Sequence, residues 1–393
     1  MFDIIPLSGG ISVVDGIYCD GVHCGLKANN ALDLAFIYSD TMLDVESIFT
    51  NNIFKAAPIE YYLRNTKGKQ SNFVLINTKN ANAMTGDKGI DDVGEVLNAL
   101  ESKFKNIKNP IFSSTGVIGQ YLPKEKILSG FNLFNLESKN HTNASNAILT
   151  TDRFSKEVAF RVDLKDSSFK IGAMAKGAGM INPAMATMLC FITTDANIPK
   201  DDMKELLNDC AKNTFNAISV DGDTSTNDSV FLMTNKKSNA YNKEAFKMAL
   251  DLVMKKLSLD ILKDGEGSSK VVAFEVIGAK NDNEAMICAK ALSNSLLVKT
   301  ALFGGDPNWG RIASTIGSCG IYADPNTLKI YIGDVIVYDC QKIYFESEEK
   351  TAKIMQMQDF KITCDLGVGN GKFIAYGCDL GYKYVEINSD YRS

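Results

Sequence analysis

Residues 242–259 place Phe246, Ala249, Leu250, Val253, Met254 and Leu257 at three- and four-residue spacing. Such an apolar stripe predicts a helix that must bury one face against another layer. Helical patterning also covers 91–104, 201–214 and 282–300. Runs rich in β-branched and aromatic residues, bounded by polar residues or glycine, predict strands at 72–77 (NFVLIN), 270–279 (KVVAFEVIGA), 328–338 (LKIYIGDVIVY) and 382–388 (YKYVEIN). The mixture predicts an α/β or α+β protein of layered sheets and helices. Its 393 residues suffice for two or three domain-sized units, or for one body with two lobes.

Between these elements lie six loops dense in Gly, Asn, Asp, Ser and Thr, at 77–89, 112–123, 175–188, 220–229, 263–270 and 303–311. A purely structural loop needs one or two turn residues, so six such loops predict a polar pocket. The net charge of −5 leaves no basic excess for phosphates, which argues against nucleic acid as a partner. The start, MFDIIPLSGG, lacks the basic and apolar regions of a signal peptide, and no stretch has the apolar length of a membrane span. The expectation is a cytoplasmic protein with no membrane partner.

Two residue types narrow the chemistry. There are only two histidines, His23 and His141, both expected as solvated loop residues. A Ser-His-Asp triad or a multi-histidine metal site would have to use them, so the base of any enzyme here is expected to be another group, with no metal. The nine cysteines are scattered, without a CxxC pair, and read as buried, reduced thiols.

The segment 176–196, KGAGMINPAMATMLCFITTDA, is the most unusual. Gly177 and Gly179 permit tight turns and Pro183 stiffens the approach. Thr187 then enters an apolar run, MLCFI, that reads as a buried strand. A dinucleotide loop does not fit, because Asn182 stands at the third glycine position of GxGxxG and no GxxxxGK[ST] occurs. A hydroxyl at the mouth of a core strand, preceded by the small residues Ala184 and Ala186, is an odd place for threonine, the ordinary reading being a plain strand entry.

This segment resembles the self-processing site of the ornithine acetyltransferase (glutamate N-acetyltransferase) family, KGSGMI-x-P-x-MATML-x-F-x-TTDA, with Ala178 in place of Ser. Further segments resemble the family in its order: NANAMTG (80–86), STGVIG (114–119), TTD (150–152), DGDTSTND (221–228), DGEG (264–267), DPNWGRI (306–312) and the terminal INSDYRS. The likeness spans nearly the whole chain. One departure is Lys79, where the family usually has glycine, which bears on the conformation of that loop.

The resemblance implies layered sheets and helices of the DmpA and ornithine-acetyltransferase type, cut autocatalytically between Ala186 and Thr187 into an α chain, 1–186, and a β chain, 187–393. The chemistry is coherent. A threonine hydroxyl is a weak nucleophile without a base. Cleavage would give Thr187 a free α-amine, whose ordinary pKa of about 7.7–8.0 suits neutral pH. Thr187 would then take acetyl from N-acetylornithine and pass it to glutamate. By the same resemblance Thr115 and Gly116 form the oxyanion hole. Thr150, Lys176, Thr187, Glu266, Asn388 and Ser393 bind substrate, with Thr151 adjoining Thr150. Lys176 would pair with a carboxylate. Glu266 would face an ammonium or tune the Thr187 amine. Trp309, the only tryptophan, is expected to shape a wall beside Arg311.

No cofactor is implied, although some family members also accept acetyl-CoA as a donor. Members are typically heterotetramers of two α and two β chains. Two other readings remain at this point. A self-processing N-terminal-nucleophile amidase or aminopeptidase would pass the acyl group to water. An uncleaved binding protein would keep the scaffold without the chemistry.

Overall fold

The computed structural model describes residues 2–182 and 188–390. The positions 183–187, which include Ala186 and Thr187, and 391–393, which include Ser393, lie outside the described residues. The described chain forms two compact units. Residues 2–177, 188–214 and 224–257 make the first, and 178–182, 215–223 and 258–390 make the second.

The first unit is built on a nine-stranded mixed sheet. Its strands are β1 (Asp3–Pro6), β2 (Ile17–Val22), β3 (Leu34–Phe49), β4 (Ser71–Asn77), β5 (Ile111–Ser114), β6 (Lys156–Asp163), β7 (Ser168–Lys176), β8 (Leu189–Thr194) and β10 (Ser229–Thr234), β9 belonging to the second unit. The order is β1-β6-β7-β8-β10-β3-β4-β5, with β2 beside β3. β8 and β10 are parallel, as are β4 and β5, and the remaining pairs are antiparallel.

Every residue of β4 is buried. Phe73 and Leu75 point into one core, against Val93, Val96, Leu97 and Leu100 of the helix Gly86–Lys103. Val74 and Ile76 point into another, shared with Phe191 and Phe231 of β8 and β10. A strand covered on both faces loses the apolar–polar alternation and reads as a continuous apolar run, as NFVLIN does. The expected strand in MLCFI is β8, fully buried.

The second unit holds the sheet β14-β13-β12-β15-β11-β16-β9. These strands are β9 (Ile218–Ser219), β11 (Val271–Ala279), β12 (Lys329–Ile332), β13 (Val335–Asp339), β14 (Lys342–Ile343), β15 (Asp359–Asp365) and β16 (Gly371–Cys378). Val272, Phe274 and Val276 of β11 pack on Ala285, Cys288, Ala289 and Leu292 of the helix Asp282–Asn294. The helix Lys243–Lys263 carries the expected stripe, with all six named residues at 0% exposure.

Four expectations are corrected. Residues 328–338 form a hairpin, β12 and β13, because Gly333 adopts φ +63 between them. The expected helix 282–300 is two, Asp282–Asn294 and Leu296–Gly304. Ser295 breaks it at ψ 114 and caps the second with its side chain. The helix expected from 91 starts at Gly86, where Gly89 leaves room for the Asn82 amide to donate to its carbonyl at 3.0 Å. Residues 382–388 are not a strand but the helix Tyr382–Ser389, in which no residue is buried.

Candidate active site

Parallel strands β4 and β5 end side by side at Asn77 and Ser114, and their outgoing loops build one corner. Asn77 Oδ1 accepts from Ser114 Oγ at 2.6 Å, and its Nδ2 donates to Asn80 O at 3.0 Å. The N–H groups of Thr115 and Val117 donate to the carbonyls of Asn77 and Lys79, each at 3.1 Å. Between them, no backbone carbonyl among the described residues takes the Gly116 N–H. Gly116 has φ +137, and a Cβ there would stand 2.2 Å from the Lys79 carbonyl carbon. Only glycine fits. Asn227 closes the corner by donating to Ala81 O at 2.7 Å and Ser114 O at 2.8 Å. Lys79 itself sits at φ +67, a conformation that glycine adopts without strain.

A second cluster in the same unit surrounds Asp152, whose side chain is fully buried. One oxygen lies 2.8 Å from Lys156 Nζ and accepts the Gly177 N–H at 2.6 Å. The other lies 3.7 Å from Lys176 Nζ and accepts the Thr150 N–H at 2.9 Å and its hydroxyl at 3.4 Å. Burial alone would raise this carboxyl, but Lys176 and Lys156 outweigh it and hold Asp152 well below the usual carboxylate range. Lys176 and Thr150 are thus brought together. The organiser is Asp152, which the residue-by-residue reading missed although it closes the TTD motif. Lys176 is 3% exposed, far from a solvated surface lysine.

In the second unit Glu266 is also buried. Its backbone N–H donates to Ala178 O at 2.9 Å, and its Oε2 accepts from Asn388 Nδ2 at 2.7 Å. A Cβ on Gly179 would meet the Glu266 carboxylate at 2.4 Å, so the second glycine of KGAG makes room for that charge. The helix Tyr382–Ser389 explains the pairing. Tyr384 and Asn388 lie one turn apart on one face, Tyr384 Oη donating to Asp221 at 3.4 Å. A strand would also set both on one face, but about 13 Å apart instead of one turn apart.

Asp221 and Asp228, both in DGDTSTND, hold the two sides of the 183–187 segment, each within its own unit. Asp221 accepts the N–H groups of Met180 at 2.5 Å and Ile181 at 2.8 Å. Asp228 accepts that of Met188 at 3.0 Å. Neither aspartate was singled out from sequence, where the loop's density of Asp, Ser and Thr was the available signal.

Neither histidine is merely solvated. His23 Nδ1 lies 3.2 Å from Asp33 and His141 Nδ1 lies 2.9 Å from Glu157. Six cysteines are buried as expected, whereas Cys24 and Cys319 are half-buried and Cys340 is exposed. Trp309 stacks on Tyr338 with centroids 5.2 Å apart, a structural contact. Among the described residues no cluster could hold a metal ion, and no single helix is long and apolar enough to cross a membrane.

The chain is 57% identical to the arginine biosynthesis bifunctional protein ArgJ of Wolinella succinogenes over the full length of both. It is 39% identical to the protein of that name from Dehalococcoides mccartyi, covering 99% of this chain and 98% of the relative. A solved ArgJ chain from Bacillus halodurans matches at 40% identity and a TM-score of 0.48, covering 50% of this chain and 96% of the solved one. A solved ornithine acetyltransferase from Mycobacterium tuberculosis, complexed with ornithine, matches at 30% identity and a TM-score of 0.39, covering 47% and 98%. The sequence profile of the ArgJ family matches residues 18–393, and with full-length relatives at this identity the chain belongs to the ArgJ family.

Proposed function

We propose that this chain transfers the acetyl group of N2-acetyl-L-ornithine to L-glutamate, giving L-ornithine and N-acetyl-L-glutamate, through an acetyl ester on Thr187. The observation that carries the reading is the corner at Thr115 and Gly116. There, among the described residues, the N–H of a glycine that nothing else can replace donates to no backbone carbonyl, while those of both its neighbours do. Such a donor stabilises an oxyanion by ~3–4 kcal/mol. Family membership supplies the acyl-transfer context.

Thr187 acquires its base by cleavage of the Ala186–Thr187 bond. Its Oγ attacks the Ala186 carbonyl and the peptide nitrogen leaves as the α-amine of Thr187. Water then opens the ester, giving chains 1–186 and 187–393. These halves would not part. β7 precedes the cut and β8 follows it, yet they pair from Lys176↔Leu189 to Ile171↔Thr194 inside one buried sheet.

In the first half-reaction the Thr187 amine takes the hydroxyl proton as Oγ attacks the acetyl carbonyl. The oxyanion rests on the Thr115 hydroxyl and the Gly116 N–H. Collapse breaks the amide bond, and the departing ornithine amine takes the proton back. Glutamate then attacks the ester through its own amine, and Thr187 Oγ leaves with a proton returned by its amine. Lys176 serves a substrate carboxylate and Glu266 an ammonium, with Thr150, Asn388 and Ser393 completing the contacts. No cofactor enters. The assembly is a heterotetramer of two α and two β chains in the cytoplasm. The relatives are named bifunctional, and we read the second activity as transfer from acetyl-CoA, to be measured as glutamate-dependent release of CoA.

The test is N-terminal sequencing of purified protein beside Thr187→Ala. Wild type should yield a new terminus, Thr-Met-Leu, and the variant none. Acetyl transfer by wild-type protein whose 186–187 bond is intact would sink the mechanism. Release of acetate in place of N-acetylglutamate would favour an amidase.

A further inference from the structure

Asn227 and Asp228 adjoin in the chain, yet their side chains serve two different parts of the proposed site, both in the first unit. Asn227 Nδ2 donates to Ser114 O at 2.8 Å, one residue before Thr115, and to Ala81 O at 2.7 Å in the loop after β4. Asp228, fully buried, accepts the Met188 N–H at 3.0 Å, one residue after Thr187. The proposed oxyanion donors and the proposed nucleophile are each one residue away from a group that this dipeptide holds.

The dipeptide is itself immobilised. The Asn227 N–H donates to Ser225 Oγ at 3.0 Å, its Oδ1 accepts from Thr226 Oγ1 at 2.6 Å and its carbonyl accepts from Ser229 Oγ at 2.9 Å. The Asp228 carbonyl accepts the N–H of Thr50, just past β3, at 3.0 Å. Thr50 Oγ1 donates in turn to Ser225 O at 2.6 Å. Residues 225–229 are all buried. A buried segment held at so many points passes a displacement on instead of absorbing it. On the nucleophile's side both backbone groups of Met188 are gripped, the N–H by Asp228 and the carbonyl by the Ser229 N–H at 3.0 Å. β8 then runs in parallel register with β10 from Ser229↔Leu189 onward. The Met188 N–H precedes that strand, and a buried donor there needs an acceptor. A neutral acceptor would satisfy it with less desolvation than a carboxylate. A charged one makes the stronger bond, which suits a contact that fixes a position.

We infer that Asp228 is a positioning residue for the nucleophile. Acting through the Met188 N–H, it sets where Thr187 stands relative to the Thr115 and Gly116 donors, whose loop Asn227 holds from the same stretch of backbone. The inference rests on the roles proposed above for Thr187, Thr115 and Gly116. A displacement of about 1 Å between reacting groups corresponds to ~10²-fold in rate.

The test measures, in the full protein, kcat and KM for N-acetylornithine and the rate at which an acetyl ester appears on Thr187, read by mass spectrometry after quenching. Asp228→Ala should lower kcat and the rate of ester formation ~10²-fold, with the KM within ~2-fold of wild type. Asp228→Asn keeps an acceptor for the Met188 N–H and should recover to within ~10-fold of wild type. An Ala variant that melts like wild type yet stays uncut at 186–187 supports the same positioning, since self-cleavage uses the same hydroxyl. A wild-type kcat in Asp228→Ala, a raised KM with kcat preserved, or an Asn variant as slow as the Ala variant overturns the inference. If Asp228→Ala does not fold, Asp228→Glu decides, because its acceptor is displaced by one methylene. Slower ester formation in it with the KM kept supports the positioning role, and an unchanged kcat overturns it. Failure of the proposed mechanism shows separately, in wild type: acetyl transfer with no ester on Thr187 sinks that mechanism, and the inference falls with it.

Discussion

Around Thr115 and Gly116, the amides of Asn77, Asn80 and Asn227 fix converging loops through neutral hydrogen bonds. Around Lys176, a buried aspartate does the equivalent work through charge. The difference matches what the proposed mechanism asks of each corner. An oxyanion donor has to keep its place whatever the pH, and amides do not titrate. A carboxylate-binding lysine has to stay charged while desolvated, which requires a counter-charge that does not itself occupy the substrate's position.

Asp152→Asn is the most severe way to break this contrast. It leaves two buried lysines without their shared carboxylate, and removing one partner of a buried ion pair costs ~3–5 kcal/mol. Urea unfolding at neutral pH should show a loss of that size. The sign with pH follows from the depressed carboxyl. Its contribution is complete above the unfolded value of about 4 and is lost as pH falls further. The gap between wild type and variant should therefore narrow in acid. An Asn variant as stable as wild type at pH 7 would show that charge is not what holds this corner.

Gly116→Ala attacks the neutral corner. The added carbon would collide with the backbone of Lys79 and Asn80 at 2.2–2.6 Å, at a φ that alanine resists. Displacing one oxyanion donor lowers the chemical step by ~10²–10³-fold. Single-turnover release of ornithine should fall by that factor at every pH at which wild type works. A loss confined to one end of the pH range would mean the corner is not neutral in function.

How much of this was legible follows the physics of each feature. The stripe Phe246–Leu257 and the doubly buried β4 declare themselves, because burial imposes periodicity on a sequence. The roles proposed for Thr115, Gly116, Lys176 and Glu266 came only from likeness to known motifs. Read locally, an STG turn and two charged residues are ordinary. Asp221, Asp228 and Asn227 stayed hidden because their work is done on groups distant in sequence, which no local spacing encodes, and Asp152 because it joins the local Thr150 and Lys156 to the distant Lys176 and Gly177. The helix Tyr382–Ser389 misleads for a related reason. YKYVEIN has strand propensity, which the fold overrides: in the helix Tyr384 reaches Asp221 and Asn388 reaches Glu266.

Asn227→Ala sharpens the comparison at a smaller scale. It removes two hydrogen bonds and leaves the carbonyls of Ala81 and Ser114 buried without that donor, at ~1–3 kcal/mol. Thermal melting should show the loss. The kcat should fall further than the KM for either substrate rises, since the loop it anchors bears the proposed oxyanion donors. A rise in KM with kcat preserved would assign Asn227 to substrate binding instead.

Asn388→Ala should have the least effect on stability and a selective effect on binding. Its helix buries no residue, so the fold gives up little when the amide is removed. What goes is the hydrogen bond to Glu266, worth ~1 kcal/mol net and somewhat more because the acceptor is a carboxylate. If Glu266 receives the ornithine ammonium, a carboxylate freed to swing should raise the KM for N-acetylornithine by ~5-fold, with the melting temperature unchanged. Glutamate brings no side-chain ammonium, so its KM should move less. A variant that melts lower but binds both substrates as wild type would turn this contact from a substrate-orienting one into a brace for the terminal helix.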